Sequence, residues 1–210
     1  EDYEIIIIND GSPDNSREVV LGLMNSFSNI VFIDQENQGV SMARNNGIAR
    51  ARGRYILPID PDDYILPGTL KRSLEHAEKE HLDVLYLAFE ILDAAGKPFW
   101  HTDYSVQEKK IFTGVPGYFA GRGKMTRDPD RSWAILYRKD LLDQFDIHYP
   151  RDVAYLEDGI FLAKVFAVAQ KVGFNNQPFY QRTTRAGSAT NSDLFYSEKA
   201  QKQHRCFLYE

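Results

Sequence analysis

The strongest constraint on the fold of this chain is a repeated succession of a short apolar run, a polar turn and a stretch with helical spacing. The apolar runs predict strands at residues 3–8, 30–33, 55–59 and 83–92. The stretches between them predict helices that begin near Asp14 or Ser16, at Gly39 and at Pro67. Strands that alternate with helices are typical of an α/β fold with an open, mostly parallel, twisted sheet and helices on both faces.

The part of the chain beyond residue 97 loses this alternation, although further elements can be assigned. Helical spacing predicts helices at 139–145, 158–170 and 192–208, and an apolar run predicts a strand at 174–184. The chain has 210 residues, 43% of them hydrophobic, which is enough for one core. No repeat and no linker separates a second unit, so we expect a single domain over 1–210 with two halves, 1–95 and 96–210.

Two polar turns directly follow predicted strands. The first runs from Asn9 to Ser12, and the second runs from Asp60 to Asp63. Because ligands of open α/β sheets bind at the carboxyl ends of the strands, both turns are expected at the edge of the sheet that carries the functional site.

The second turn concentrates negative charge. Asp60, Asp62 and Asp63 stand next to Pro61, which fixes the backbone of the turn and lacks an N–H group. Like charges this close repel, and a hard cation with oxygen ligands relieves the repulsion. Mg²⁺ or Mn²⁺ suits the turn, since such ions take few carboxylates and complete their shell with water and substrate phosphates. The alternatives are a surface turn and a cap on the helix that follows.

Composition excludes several classes of protein. The formal net charge of −5 argues against a broad nucleic-acid surface, which needs a basic excess. The longest apolar stretches, at 4–8 and 161–169, are far shorter than a transmembrane helix requires. Cys206 is the single cysteine, so no disulfide can form within the chain, and a reducing, cytoplasmic location is expected.

Three motifs occur in a fixed order along the chain. They are Ile-Ile-Asn-Asp-Gly-Ser-Pro-Asp at 7–14, Asn-Gln-Gly-Val-Ser-Met-Ala-Arg-Asn at 37–45 and Asp-Pro-Asp-Asp at 60–63. Their order and spacing resemble the signature of glycosyltransferase family 2, whose members have the GT-A fold. The resemblance covers most of the chain and is strongest up to Leu66. It implies a nucleotide-sugar-binding half at 1–95 and an acceptor-binding half at 96–210.

The resemblance also implies roles for individual residues. It assigns the UDP-type or dTDP-type nucleotide sugar to a set of five: Asp10, Ser12, Arg44, Asp60 and Arg182. It assigns Mn²⁺ or Mg²⁺ to Asp62 together with Asp60. The residues alone leave simpler alternatives, because Asp10 could merely form a turn and Arg44 could be a solvated charge on a helix.

The pair Glu157-Asp158 precedes an apolar helical stretch. An acid at this place is commonly a helix cap, held by free N–H groups and the helix dipole. The resemblance implies instead that Asp158 is the general base of an inverting transfer and that Glu157 binds the acceptor or orients the base. A positioned general base of this kind accelerates a reaction by about 10²–10⁴-fold.

Two further segments resemble the family in its second half. Trp133 lies in a segment that resembles an acceptor-binding part of the family, although a tryptophan can simply be packed. Arg182, Arg185 and Ser188 resemble a basic loop that reaches the diphosphate, although they could be ordinary surface residues. The Gln-x-x-Arg-Trp motif of polymerising members is not matched after Gln181, which favours transfer of single sugars.

The sequence therefore predicts a metal-dependent, inverting hexosyltransferase that adds a sugar to a saccharide or lipid-linked saccharide, peripheral to the inner membrane face, with oligomerisation left open. Members of the family normally have one more strand and helix before the Asn-Asp-Gly-Ser strand, so we expect this chain to lack them. The alternative is a non-catalytic module that binds a sugar nucleotide or a carbohydrate. A phosphatase of the haloacid-dehalogenase type is disfavoured, because Tyr64 stands where that signature needs Thr or Val.

Overall fold

The computed structural model describes residues 3–122, 130–153 and 156–184. The strands, in chain order, are β1 Ile5–Asp10, β2 Ile30–Gln35, β3 Tyr55–Ile56, β4 Tyr64–Ile65, β5 Val84–Leu92, β6 Pro98–His101, β7 Ile135–Arg138 and β8 Val172–Arg182. The helices are α1 Ser16–Met24, α2 Val40–Arg50, α3 Thr69–Lys79, α4 Gly114–Arg122, α5 Lys139–Gln144 and α6 Glu157–Val168.

Every strand and helix that the sequence predicts within these residues is present, with shifted ends. The largest shift is at β3, which ends at Ile56 rather than at residue 59. Pro58 has no N–H group to donate to a neighbouring strand, which explains the early end. The hydropathy pattern does not predict β4, β6, β7 or α4. The expected helix at 192–208, together with Arg185, Ser188 and Cys206, lies outside the described residues.

The expectation of a mostly parallel sheet needs correction. Strands β1 and β2 form a parallel pair. The second sheet has six strands in the order β3-β7-β5-β8-β4, with β6 also paired to β5, and only β5–β8 is parallel there. The other four pairings are antiparallel. The alternation that predicts parallel strands stops after β5, and the β5–β6 hairpin turns at Gly96, which has φ of 77°.

Strand β5 is the centre of the core and is covered on both faces. Val84 and Tyr86 belong to a cluster that includes Phe161 of α6. The alternate residues Leu85 and Leu87 belong to a second cluster, against which α3 packs. Side chains of a strand point alternately to its two faces, so these clusters lie on opposite sides of the sheet. The prediction of helices on both faces is therefore confirmed.

Helix α4 contacts the core through its glycines. A Cβ on Gly114 would lie 1.9 Å from the carbonyl oxygen of Phe166, and one on Gly121 would lie 2.2 Å from Cζ of Tyr86. Gly117 is buried on the same side. No side chain fits at these distances, so the backbone of α4 rests directly on α6 and the sheet.

No helix within the described parts of the chain is long and apolar enough to span a bilayer.

Candidate active site

The acidic turn follows β3, as the sequence predicts, and leads into β4. The N–H group of Asp63 donates to the carbonyl of Asp60 over 3.1 Å, which closes the turn. The side chain of Asp60 is 35% exposed, and Asp62 and Asp63 are half-buried. The turn is thus open enough for its carboxylates to meet a ligand.

Arg44 brings this turn together with the Glu157-Asp158 pair. Its Nη1 atom lies 2.8 Å from Oδ1 of Asp158 and 3.0 Å from Oε1 of Glu157. Its Nη2 atom lies 3.2 Å from Oδ1 of Asp60. Arg44 comes from α2, and the acidic pair begins α6, so these elements place four of the predicted site residues in one ion-paired cluster.

The cluster carries more negative than positive charge, because three carboxylates share one guanidinium. Burial raises the pKa of Glu157, and the adjacent Asp158 raises it further, whereas Arg44 lowers it. Burial also raises the pKa of Asp60, against the opposite effect of Arg44. Burial alone would lower the pKa of Arg44, but the negative charges around it outweigh burial and raise that pKa. The guanidinium therefore stays charged, and the carboxylates around it outnumber it three to one.

Asp158 is held by groups outside its own helix. The hydroxyl of Ser132 donates to Oδ1 of Asp158 over 2.8 Å, and the N–H group of Ser132 donates to Oδ2 over 3.3 Å. The hydroxyl of Tyr137 donates to the carbonyl of Ser132 over 3.0 Å and fixes that residue. The N-cap residue of α6 is Leu156, in the left-handed region with φ of 66°, and no side chain caps the helix. Asp158 is therefore not a helix cap, and its carboxylate faces the site.

Tyr149 supports Arg44 from beneath. Cζ of Arg44 lies 5.2 Å from the centroid of the Tyr149 ring, which stacks on Phe161 at 4.0 Å. The side-chain amide of Asn45 donates to the carbonyl of Tyr149 over 3.0 Å and accepts from its N–H group over 2.8 Å. Asn45, which the resemblance places near the donor, thus fixes the segment that carries this ring.

Asp10 lies at the end of β1, where its carboxylate holds the start of α2. It accepts hydrogen bonds from Nε2 of Gln35 at 2.7 Å and from the backbone N–H groups of residues 38 and 39 at 2.9 and 2.8 Å. The N–H group of Ser12 donates to the side chain of Asn9 over 3.1 Å. The assignment of Asp10 and Ser12 to the nucleotide sugar stays a prediction. The same helix, α2, links them to Arg44.

Trp133 is buried, with 6% of its surface exposed. Its ring stacks on Tyr180 at 5.0 Å and meets the edge of Phe89 at 4.7 Å. Cζ of Arg182 lies 5.6 Å from the centroid of the Trp133 ring. Protein groups surround the ring, which favours the packing alternative over an acceptor platform. Arg182 remains a candidate for the diphosphate because it extends from the end of β8 beside the acidic turn.

The predicted metal site has no complete protein shell. Among residues 3–122, 130–153 and 156–184, no group of three or more His, Cys, Asp or Glu residues could hold an ion. Mg²⁺ and Mn²⁺ do not require such a group when phosphates supply ligands. The surplus of negative charge beside Asp60 and the half-buried Asp62 are compatible with an ion that arrives with a diphosphate.

A cleft of about 780 Å³ lies beside the cluster, between α2 and α6. Asn45 and Tyr149 line it, together with Ile160, Arg151 and Lys164. The members of the charged cluster do not line the cleft, so it adjoins the candidate site rather than containing it.

Sequence reasoning missed the roles of Ser132, Tyr149, Tyr180 and Thr183. Ser132 and Tyr180 reach the site through hydrogen bonds to residues 26 and 117 positions away along the chain. Such contacts leave no periodic pattern, and the available signal was only that polar and aromatic residues stand near the predicted strand ends.

Comparison with protein families gives one extended match. The model of glycosyl transferase family 2 matches residues 1–144, which is more than half of the chain. The match includes α2 and the acidic turn but ends before the Glu157-Asp158 pair.

Curated relatives agree with this match. The chain is 41% identical over 181 residues to the uncharacterized glycosyltransferase YibD of Escherichia coli (strain K12), covering 85% of the chain and 52% of YibD. It is 30% identical over 200 residues to the cholesterol galactosyltransferase of Borreliella burgdorferi, covering 91% of the chain and 55% of that relative. The chain therefore spans about half the length of these relatives.

A solved structure shows the same fold. The crystal structure of S. aureus TarS 1–349 in complex with UDP-GlcNAc superposes with a TM-score of 0.74 at 23% identity, covering 97% of this chain and 56% of that one. The similarity confirms the GT-A type of α/β fold.

Proposed function

Because the chain belongs to glycosyltransferase family 2, we propose that it is an inverting, metal-dependent hexosyltransferase. Its donor would be a nucleotide-diphosphate sugar of the UDP type, and its acceptor a hydroxyl group of a saccharide or lipid-linked saccharide. The observation that carries the proposal is the ion-paired cluster in which Arg44 joins Asp60 of the acidic turn to Asp158 at the start of α6.

The cluster supplies both functions that an inverting transfer needs. The donor would lie against the acidic turn, and Asp158 contacts the same guanidinium as Asp60 of that turn. Inversion requires one carboxylate on the acceptor side and no covalent intermediate with the protein. Asp158 meets this need, since Ser132 and Arg44 hold it in a defined orientation.

The proposed reaction is a single displacement. The acceptor oxygen bonds to the anomeric carbon as the bond from that carbon to the diphosphate oxygen breaks. The hydroxyl proton passes to the Asp158 carboxylate, which acts as the general base. Arg44 and Ser132 hold the Asp158 carboxylate in place before the transfer.

When its bond to the anomeric carbon breaks, the leaving nucleoside diphosphate gains one negative charge that has to be compensated. Asp60 and Asp62 are the residues that would hold Mn²⁺ or Mg²⁺, which when bound supplies positive charge to the departing diphosphate. Arg182 would contribute a second positive charge from the end of β8, and Glu157 would contact the acceptor next to the base.

The relatives support a UDP-type donor and the transfer of a hexose-type sugar. TarS has been crystallised with UDP-GlcNAc and with UDP, and the relatives named poly(ribitol-phosphate) beta-N-acetylglucosaminyltransferase and cholesterol galactosyltransferase transfer hexose-type sugars by name. We propose a cytoplasmic location with peripheral attachment to the inner membrane face, where lipid-linked acceptors are available.

Transfer from radiolabelled UDP-sugars tests the proposal. We expect Asp158→Asn to lower turnover about 10²–10⁴-fold and Asp62→Asn to remove the dependence on Mn²⁺ together with most of the activity. Asp143→Asn is the matched control, since Asp143 pairs with Lys139 on the exposed side of α5. Anomeric proton signals of the product report whether the configuration is inverted.

Unchanged turnover in Asp62→Asn would contradict the metal-dependent mechanism. A wild-type protein that binds UDP-sugars in calorimetry but neither transfers nor hydrolyses them would support the alternative of a non-catalytic binding module.

A further inference from the structure

The acidic turn is held by two residues, one near the end of β8 and one just beyond it. The two residues that make the contacts are Tyr180 and Thr183, which we call the β8 brace. Neither is a carboxylate or a base, and both act through hydrogen bonds to the turn rather than through a group that can reach a substrate.

Tyr180 holds the start and the end of the turn at once. Its hydroxyl donates to Oδ2 of Asp63 over 2.7 Å and accepts from the N–H group of Asp60 over 3.2 Å. Stacking on Trp133 at 5.0 Å fixes the ring.

Thr183 holds the middle of the turn. Its hydroxyl donates to the carbonyl of Asp62 over 2.7 Å, and its N–H group donates to Oδ1 of Asp63 over 2.8 Å. Both oxygens of Asp63 therefore accept hydrogen bonds from the β8 brace.

The consequence concerns the two neighbouring carboxylates. The N–H group of Asp60 and the carbonyl of Asp62 are fixed, so the side chains of both residues extend from a backbone with little freedom. A metal bound through one or two carboxylates depends on such preorganisation, because a displacement of about 1 Å can cost about 10²-fold in rate.

We propose that Tyr180 and Thr183 are positioning residues of the donor site, which act through Asp63 to hold Asp60 and Asp62 where a metal-bound nucleoside diphosphate is received. The inference rests on the proposed function. The β8 brace also connects the turn to Arg182, which directly precedes Thr183. The Cζ atom of Arg182 lies against the Trp133 ring, on which Tyr180 stacks.

Calorimetric titration with UDP, with and without Mn²⁺, tests the proposal without reference to turnover. We expect Tyr180→Phe to raise the Kd for UDP in the presence of Mn²⁺ about tenfold, since one hydrogen bond to a charged group is lost. Thr183→Val should have a similar effect. Without Mn²⁺, weak binding should be the same in the variants and in the wild type.

Tyr55→Phe is the matched control. It removes a tyrosine hydroxyl that donates to the carbonyls of Ala77 and Leu82, away from the turn. This variant should bind UDP as the wild type does, and thermal melting of both tyrosine variants shows whether each is folded.

A double-mutant cycle separates positioning from a general structural effect. If the β8 brace acts through Asp63, Tyr180→Phe should weaken binding much less in an Asp63→Asn background than in the wild type. Additive effects would overturn the inference, as would a Tyr180→Phe variant that binds UDP with Mn²⁺ as tightly as the wild type. A wild-type protein without Mn²⁺-dependent binding of UDP would overturn the proposed function as well.

Discussion

Acidic side chains at two places in this molecule are satisfied in different ways. At the end of β1, the carboxylate of Asp10 accepts three hydrogen bonds from neutral donors within residues 35–39. At the acidic turn and the start of α6, Asp60, Glu157 and Asp158 share the charge of Arg44.

The difference lies in the kind of partner that satisfies each carboxylate. Neutral amide donors satisfy the carboxylate of Asp10 within one short stretch of the chain. One guanidinium cannot neutralise three carboxylates, so Asp60, Glu157 and Asp158 depend on a single shared cation and leave a surplus of negative charge. The proposed function assigns that surplus to a metal ion that arrives with the donor.

The largest effect should follow from removal of the shared cation. We expect Arg44→Gln to lower the free energy of unfolding by about 3 kcal/mol, since three partly buried carboxylates lose their counter-charge. Urea unfolding measures this, with Arg44→Lys as the control that keeps the charge but loses the forked geometry. If the free energy of unfolding of Arg44→Gln lies within about 0.5 kcal/mol of the wild-type value, the three carboxylates do not depend on the shared guanidinium. They would then not differ from Asp10 in the way described.

A smaller effect is expected at the carboxylate of Asp10. Asp10→Asn should lower the free energy of unfolding by about 1–2 kcal/mol. Donors approach both carboxylate oxygens of Asp10, and an asparagine side chain has only one oxygen that can accept from them. Asp14→Asn is a suitable control, since Asp14 bonds only to Ser16 at the surface. If Asp10 also binds the nucleotide, the Kd for UDP rises in the same variant. An unchanged free energy of unfolding in Asp10→Asn would show that the hydrogen bonds to Asp10 contribute little.

The smallest effect concerns pH. Burial raises the pKa of Glu157 in the folded chain above its value in the unfolded chain. The stabilisation from its protonated form is complete below the unfolded pKa and is lost as the pH rises through the folded pKa. The free energy of unfolding should therefore fall as the pH is raised above the ordinary pKa of a glutamate, and less steeply in Glu157→Gln.

Exposed Glu36 provides the comparison for this measurement. Glu36→Gln should leave the slope of the unfolding free energy against pH as it is in the wild type. Equal slopes in the wild type and in Glu157→Gln would show that the shared guanidinium compensates burial completely.

The sequence placed the acidic turn directly after a strand and the Glu157-Asp158 pair at the start of a helix, and the resemblance to family 2 singled out Arg44 and Asp158. The sequence could not predict that Ser132 and Thr183 would bond to Asp158 and to the turn, because those contacts depend on how distant loops meet. The antiparallel pairings of β3 and β4 could not be predicted either. The strands β3 and β4 have two residues each, too few for hydropathy to show a period.

The glycine face of α4 makes the two sides of that helix unequal in the sequence changes they can accept. At Gly114 and Gly121 even a methyl group collides with Phe166 or Tyr86, so almost every codon change there damages the fold. Val115 and Phe119 on the outer side are exposed and can be exchanged without such a collision. Libraries aimed at this part of the protein should therefore diversify the outer positions and leave the inner ones as they are.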